Sequence, residues 1–110
     1  MNVNVIVREL LIEGLDDWLP VDRLLDVVRD SVKFEAEDFR GNAMAVLKVL
    51  LQQGLMQVGD LGEDGFEAWS GTVESILDRL SAGLDHFDWA PLGAFCWIAN
   101  TPRGSKRAMS

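Results

Sequence analysis

Apolar positions along this chain repeat with two different periods, and the change from one to the other outlines the fold. In VDRLLDVVRDSV, Val21, Leu24, Leu25, Val28 and Val32 fall on a single helical stripe. Asp22, Arg23, Asp26, Arg29, Asp30 and Lys33 take the other side, where pairs such as Asp26/Arg29 and Asp30/Lys33 interact weakly. A second stripe, Phe39, Ala43, Val46, Leu47 and Leu50, predicts a helix that Glu37 and Asp38 favour at its start and Gly54 ends. A third, Val73, Ile76, Leu77 and Leu80, has Thr72 or Ser70 as its N-cap and Gly83 as its terminating glycine. The opening run VNVIVRELLIE fits a strand or a helix. The spacing of Val3, Ile6, Val7 and Leu10 and the helix-forming RELLIE favour a helix closed near Gly14.

Strand signals replace this pattern twice. LMQVGDL, residues 55–61, alternates as a strand does, and residues 94–101 are rich in aromatic and β-forming side chains. The two segments are expected to pair antiparallel. Between them GEDGFEAWSG reads as a turn-rich acidic loop tied down by Phe66 and Trp69, and LDHFDWAPLG as a second loop. Asp16 to Pro20 is a connection in which Pro20 holds Leu19 extended. Thr101-Pro102 starts a final helical turn, because proline fits the first helical position. One domain over residues 1–104 follows, with a basic tail at 105–110.

Composition narrows the class. A chain of 110 residues, 48% hydrophobic, holds its own core without staples. Charge interrupts every apolar run, and the N-terminal one meets Arg8 and Glu9 before a signal-peptide core forms. A soluble cytoplasmic protein with no membrane association is expected. Cys96 is the only cysteine, so no internal disulfide forms. Charge is the strongest signal: 18 acidic against 10 basic residues give a net charge of −8. From Asp60 to Asp88 there are eight carboxylates and one cation, Arg79, whereas Arg103, Lys106 and Arg107 sit near the C-terminus without an acid. Such a body opposes phosphate binding and suits solubility or a basic protein partner.

Catalytic and cofactor chemistry finds little support. No glycine loop carries the lysine of a phosphate cradle, and one cysteine with one histidine is not a zinc site. DLGEDGFE lacks the register of a calcium loop. His86 between Asp85 and Asp88 has no nucleophile tied to it by spacing, and Cys96 in an apolar strand reads as a small buried hydrophobe. No enzyme activity, metal or cofactor is expected. Trp69, Trp89 and Trp97 fit a core or a binding patch equally well.

The run AVLKVLLQQGLMQVGDL and the return segment CWIANTPRG resemble the winged-helix family, in which a third helix leads straight into a wing strand. EDGFEAW is similar to stretches of small uncharacterised bacterial proteins of this build. The resemblance implies an α+β, winged-helix-like fold: three N-terminal helices plus a β-hairpin wing, here interrupted by a fourth helix. It also implies a third helix whose exposed face, Arg40, Asn42, Ala45, Lys48, Val49 and Gln52, would enter a DNA groove. The expected wing is acidic, however. The favoured expectation is a non-catalytic protein-binding module of immunity or antitoxin type, meeting a basic partner through Asp60, Glu63, Asp64, Glu67 and Trp69. The alternative is a DNA-binding regulator, with a homodimer open to it, using Arg40, Lys48, Gln52 and the basic tail.

Overall fold

The computed structural model of the chain describes residues 1–32 and 38–110, so the expected contributions of Lys33 and Glu37 lie outside the described residues. Helix α1 covers Val3–Glu13; Asn2 caps it by accepting the Val5 N–H at 3.3 Å. It buries Ile6, Val7 and Leu10 of the expected stripe and adds Leu11, while Val3 is only partly buried. A two-residue strand, β1 (Leu19–Pro20), leads directly into α2 (Val21–Ser31). Proline suits this place because β1 is an edge strand and Pro20 has no N–H to donate. Helix α3 covers Phe39–Gln52, with Asp38 accepting the Gly41 N–H at 3.0 Å. It ends at Gly54, whose φ of +64° lets the Leu55 N–H return to the Leu50 carbonyl at 2.9 Å.

Strand β2 (Met56–Gly62) follows and turns through Glu63-Asp64 into β3 (Gly65–Ala68). The sequence expectation of a loop over these residues is corrected here: GFEA is a strand, with Asp60 opposite Glu67 and Leu61 opposite Phe66. The acid-rich composition hides it. Pairing to β2 supplies what local propensity does not, and the Trp69 N–H extends the ladder to the Val58 carbonyl at 2.8 Å.

Helix α4 covers Val73–His86, capped by Thr72, which accepts the Ser75 N–H at 3.1 Å. It does not stop at Gly83 as expected. Gly83 lies within the helix, and the Phe95 ring packs where its side chain would be. The helix closes instead through Asp88, at φ +52°, whose N–H returns to Asp85 while the Trp89 N–H returns to Leu84 at 2.7 Å. Asp is one of the few residues that tolerate this left-handed position.

Strand β4 (Trp97–Asn100) pairs antiparallel with β2, Val58 opposite Ile98, as the two strand signals predict. Its other edge takes β1, giving the order β1-β4-β2-β3. Thr101 then caps α5 (Pro102–Ala108), accepting the Gly104 N–H at 3.0 Å. Residues 105–108, set apart in the sequence as tail, belong to this helix, and Ala108 is buried. The described chain is thus α+β: five helices and a four-stranded antiparallel sheet.

The core lies between the helices and one face of the sheet. Leu19, Val58 and Ile98 point inward against Leu10, Leu24, Leu47 and Leu50 from the helices. Among the described residues no helix is long and apolar enough to cross a membrane.

Candidate partner-binding surface

The β2–β3 hairpin gathers four of the acids that the sequence singles out. Asp60 and Glu67 face each other across the ladder, and Glu63 and Asp64 form the turn. Like charges directly opposite destabilise a strand pair, so a hairpin built this way carries a cost that solubility alone does not require. Glu63, Asp64 and Glu67 are exposed.

Asp60 plays a second, structural part. Its Oδ2 accepts the Trp69 indole N–H at 2.9 Å, and the Arg79 guanidinium lies 3.9 Å from the same oxygen. Arg79 also sits over the Trp69 ring, 3.7 Å from its centroid. The one cation of the 60–88 segment is thereby held by an aromatic face and a carboxylate at once. Trp69 itself is 9% exposed and packs on Phe95, with ring centroids 5.8 Å apart. It offers a partner little surface. Trp89 repeats the pattern: it is buried and donates to Asp85 Oδ1 at 2.7 Å. Buried indoles need such acceptors. Two of the three tryptophans that could equally have been core or patch are therefore core, and Trp97 is half-buried on the opposite sheet face.

The remaining chemical candidates lie apart from one another. His86 ends α4, exposed, with its ring edge-on to Phe87 at 5.1 Å. The carboxylate beside it, Asp85, is engaged by Trp89. Cys96 is buried, and burial first, then the charge of Asp60, pushes its thiol from about 9 up to about 12. A thiolate nucleophile is suppressed by that environment. The sign of the linkage follows. Between pH 9 and 12 the unfolded chain releases the thiol proton while the folded chain keeps it, so stability falls as pH rises through that window. The native protein should therefore label slowly with a thiol-reactive dye near pH 8 and fully once denatured. Cys96→Ala should remove part of the alkaline fall in stability measured by urea unfolding. Rapid native labelling would contradict the buried placement. Among the described residues no three His, Cys, Asp or Glu side chains gather as a metal site.

On α3, Arg40, Lys48 and Gln52 are exposed, but Arg40 is already engaged. Its guanidinium lies 3.5 Å from Asp88 and 5.5 Å from the Trp89 ring centroid. The loop after α4 thus stands over the start of the face that would meet DNA.

One residue that the sequence reading passes over is Trp18. It is 43% exposed in the loop before β1, follows Asp16-Asp17, and meets Phe66 of the hairpin with ring centroids 6.2 Å apart. The available signal was a tryptophan between two acids and a proline in a connecting loop, where core packing does not account for it. Compared with protein-family models, curated proteins and solved structures, the chain matches none of them.

Proposed function

We propose that this protein is a non-catalytic binding module of winged-helix type that engages a basic protein partner through its acidic hairpin. The observation that carries the reading is the hairpin itself. Asp60 and Glu67 lie cross-strand and Glu63-Asp64 lie at the tip, where a DNA-contacting wing would need cations. Helices α1, α2 and α3 leading into a β-hairpin, with β1 beside the return strand, support the winged-helix part. An immunity or antitoxin role, covering the cationic site of a nuclease, is the most concrete form of this function. The rival DNA reading draws on Lys48 and Gln52, yet it must first detach Arg40 from Asp88.

The test leaves Asp60 intact, because that carboxylate also holds Trp69 and Arg79. Partners are captured from the native lysate at low salt, with and without nuclease. Association of the captured basic protein is then followed by stopped flow against Glu63→Gln/Asp64→Asn/Glu67→Gln. Electrostatic steering predicts a rate lower by about 10-fold or more and a flatter salt dependence. An unchanged rate would refute the hairpin's role. Recovery of nucleic acid alone, lost with nuclease, would favour the DNA reading.

A further inference from the structure

Helices cover the sheet face that carries Leu19, Val58 and Ile98. On the other face the Phe66 ring lies across Gly59 and meets Trp18, and a groove opens beside Trp18. This groove, about 350 Å³, runs between the α1–β1 loop and the end of β4. Leu15, Asp16, Asp17 and Trp18 form one wall, and Asn100 and Ser105 lie opposite. Leu15 is 41% and Trp18 43% exposed, and both line the groove.

We propose that this groove binds a cationic side chain from an arginine- or lysine-rich segment of a partner protein. The proposal rests on the basic-partner reading above and gives it a second, separate contact. Three observations select the occupant. First, the lining contains two carboxylates and no cation, and among the described residues neither Asp16 nor Asp17 has an ion-pair partner. Second, the polar groups of the opposite wall do not supply a counter-charge. Asn100 Nδ2 is spent on the Leu11 carbonyl at 2.8 Å, and its Oδ1 is buried with no donor. Third, the molecule shows elsewhere that an indole and a carboxylate together hold a guanidinium. At Trp69 an indole and a carboxylate hold the Arg79 guanidinium, stacked 3.7 Å from the ring centroid. In the groove an exposed indole and two carboxylates share one loop, with Asp17 Oδ1 accepting the Trp18 backbone N–H at 2.7 Å, and no cation lies among the lining residues. A guanidinium can stack on an aromatic face and pair with a carboxylate, so arginine suits the wall that carries Asp16, Asp17 and Trp18. Nucleic acid is excluded by the same carboxylates, and a second copy of the chain brings a net charge of −8 against them.

The experiment uses the full chain, ¹⁵N-labelled, at low salt. An octa-arginine peptide is the probe and a Gly/Ser peptide of equal length the control. The Trp18 indole signal is identified through Trp18→Phe. The expected result is a saturable shift of the Trp18 indole and of the Asp16 and Asp17 amides. Asp16→Asn/Asp17→Asn/Trp18→Ala should weaken binding by about 10-fold or more. The hairpin variant Glu63→Gln/Asp64→Asn/Glu67→Gln should keep these shifts. Unmoved Trp69 and Trp89 indole signals establish that the groove variant is folded; if it is not, Asp16→Asn/Asp17→Asn alone carries the comparison. Shifts confined to the hairpin would overturn the groove and leave the basic-partner reading standing. No shift anywhere would overturn both. A Trp18 shift that grows with protein concentration in the absence of peptide would identify a second copy as the occupant and overturn the proposal.

Discussion

Gly104→Ala is expected to destabilise the protein by about 3 kcal/mol, near the top of the range for overpacking a well-packed site. Gly104 is buried in the first turn of α5, and a methyl group there would overlap the Leu55 carbonyl oxygen and press on Leu11 Cδ2. The obstacle is backbone, so it cannot swing aside. That carbonyl is also occupied: it accepts the Thr101 N–H at 3.0 Å, and the Thr101 hydroxyl donates to the neighbouring Gly54 carbonyl at 2.6 Å. Moving it would loosen the α3–β2 junction and the α5 cap together. At ~4–8 °C per kcal/mol for a domain near this size, Tm should fall by roughly 12–24 °C. Lys106→Ala, exposed on the same helix, should change stability by no more than about 0.5 kcal/mol. Thermal melts followed by far-UV circular dichroism read both. A wild-type Tm for Gly104→Ala would mean that α5 does not dock on Leu55.

This glycine also marks where sequence reasoning ends. Thr101-Pro102 made the start of α5 legible, because a capping hydroxyl followed by proline is a local signal. That α5 would press its backbone against a carbonyl 49 positions earlier was not local and left no trace in the pattern. The helices follow the same division. The stripe of α2 identified Val21, Leu24, Leu25 and Val28, all buried. The end of α4 was missed, because Gly83 reads as a stop until Phe95 is known to pack against it. The pairing of β2 with β4 was visible as alternation, whereas β3 was hidden by Glu67 and Gly65, residues that favour strands only when a partner strand is present. For the surface, charge density singled out the segment that forms the β2–β3 hairpin. It did not separate Asp60, which holds an indole and a guanidinium, from Glu63, Asp64 and Glu67, which hold neither.

That separation governs the second large effect. Trp69→Ala is expected to cost about 3–5 kcal/mol, the range for removing a buried large aromatic side chain. The loss would include the packing on Phe95, the seat of Arg79 and the donor to Asp60. Partner binding by this variant would fall for want of folded protein, and read alone it would pass for loss of a contact. Trp69→Phe separates the two causes. An aromatic ring that can face Phe95 and Arg79 is kept, while the indole N–H is removed together with part of the buried ring system. Asp60 is half-exposed, with 52% of its side chain accessible, so water replaces the lost donor in part; with the space left by the smaller ring the cost should be about 1–3 kcal/mol, below that of alanine. The charges of Glu63, Asp64 and Glu67 are untouched, so association with a basic partner should proceed at close to the wild-type rate. Urea unfolding gives the stability of each variant, and stopped-flow association gives the binding. If Trp69→Ala proved as stable as wild type yet failed to bind, Trp69 would be a contact residue in its own right and its burial under Phe95 would be wrong. If Trp69→Ala unfolds and Trp69→Phe binds normally, the indole is the support that holds the hairpin's acids in place, and the contact is made by the carboxylates at its tip.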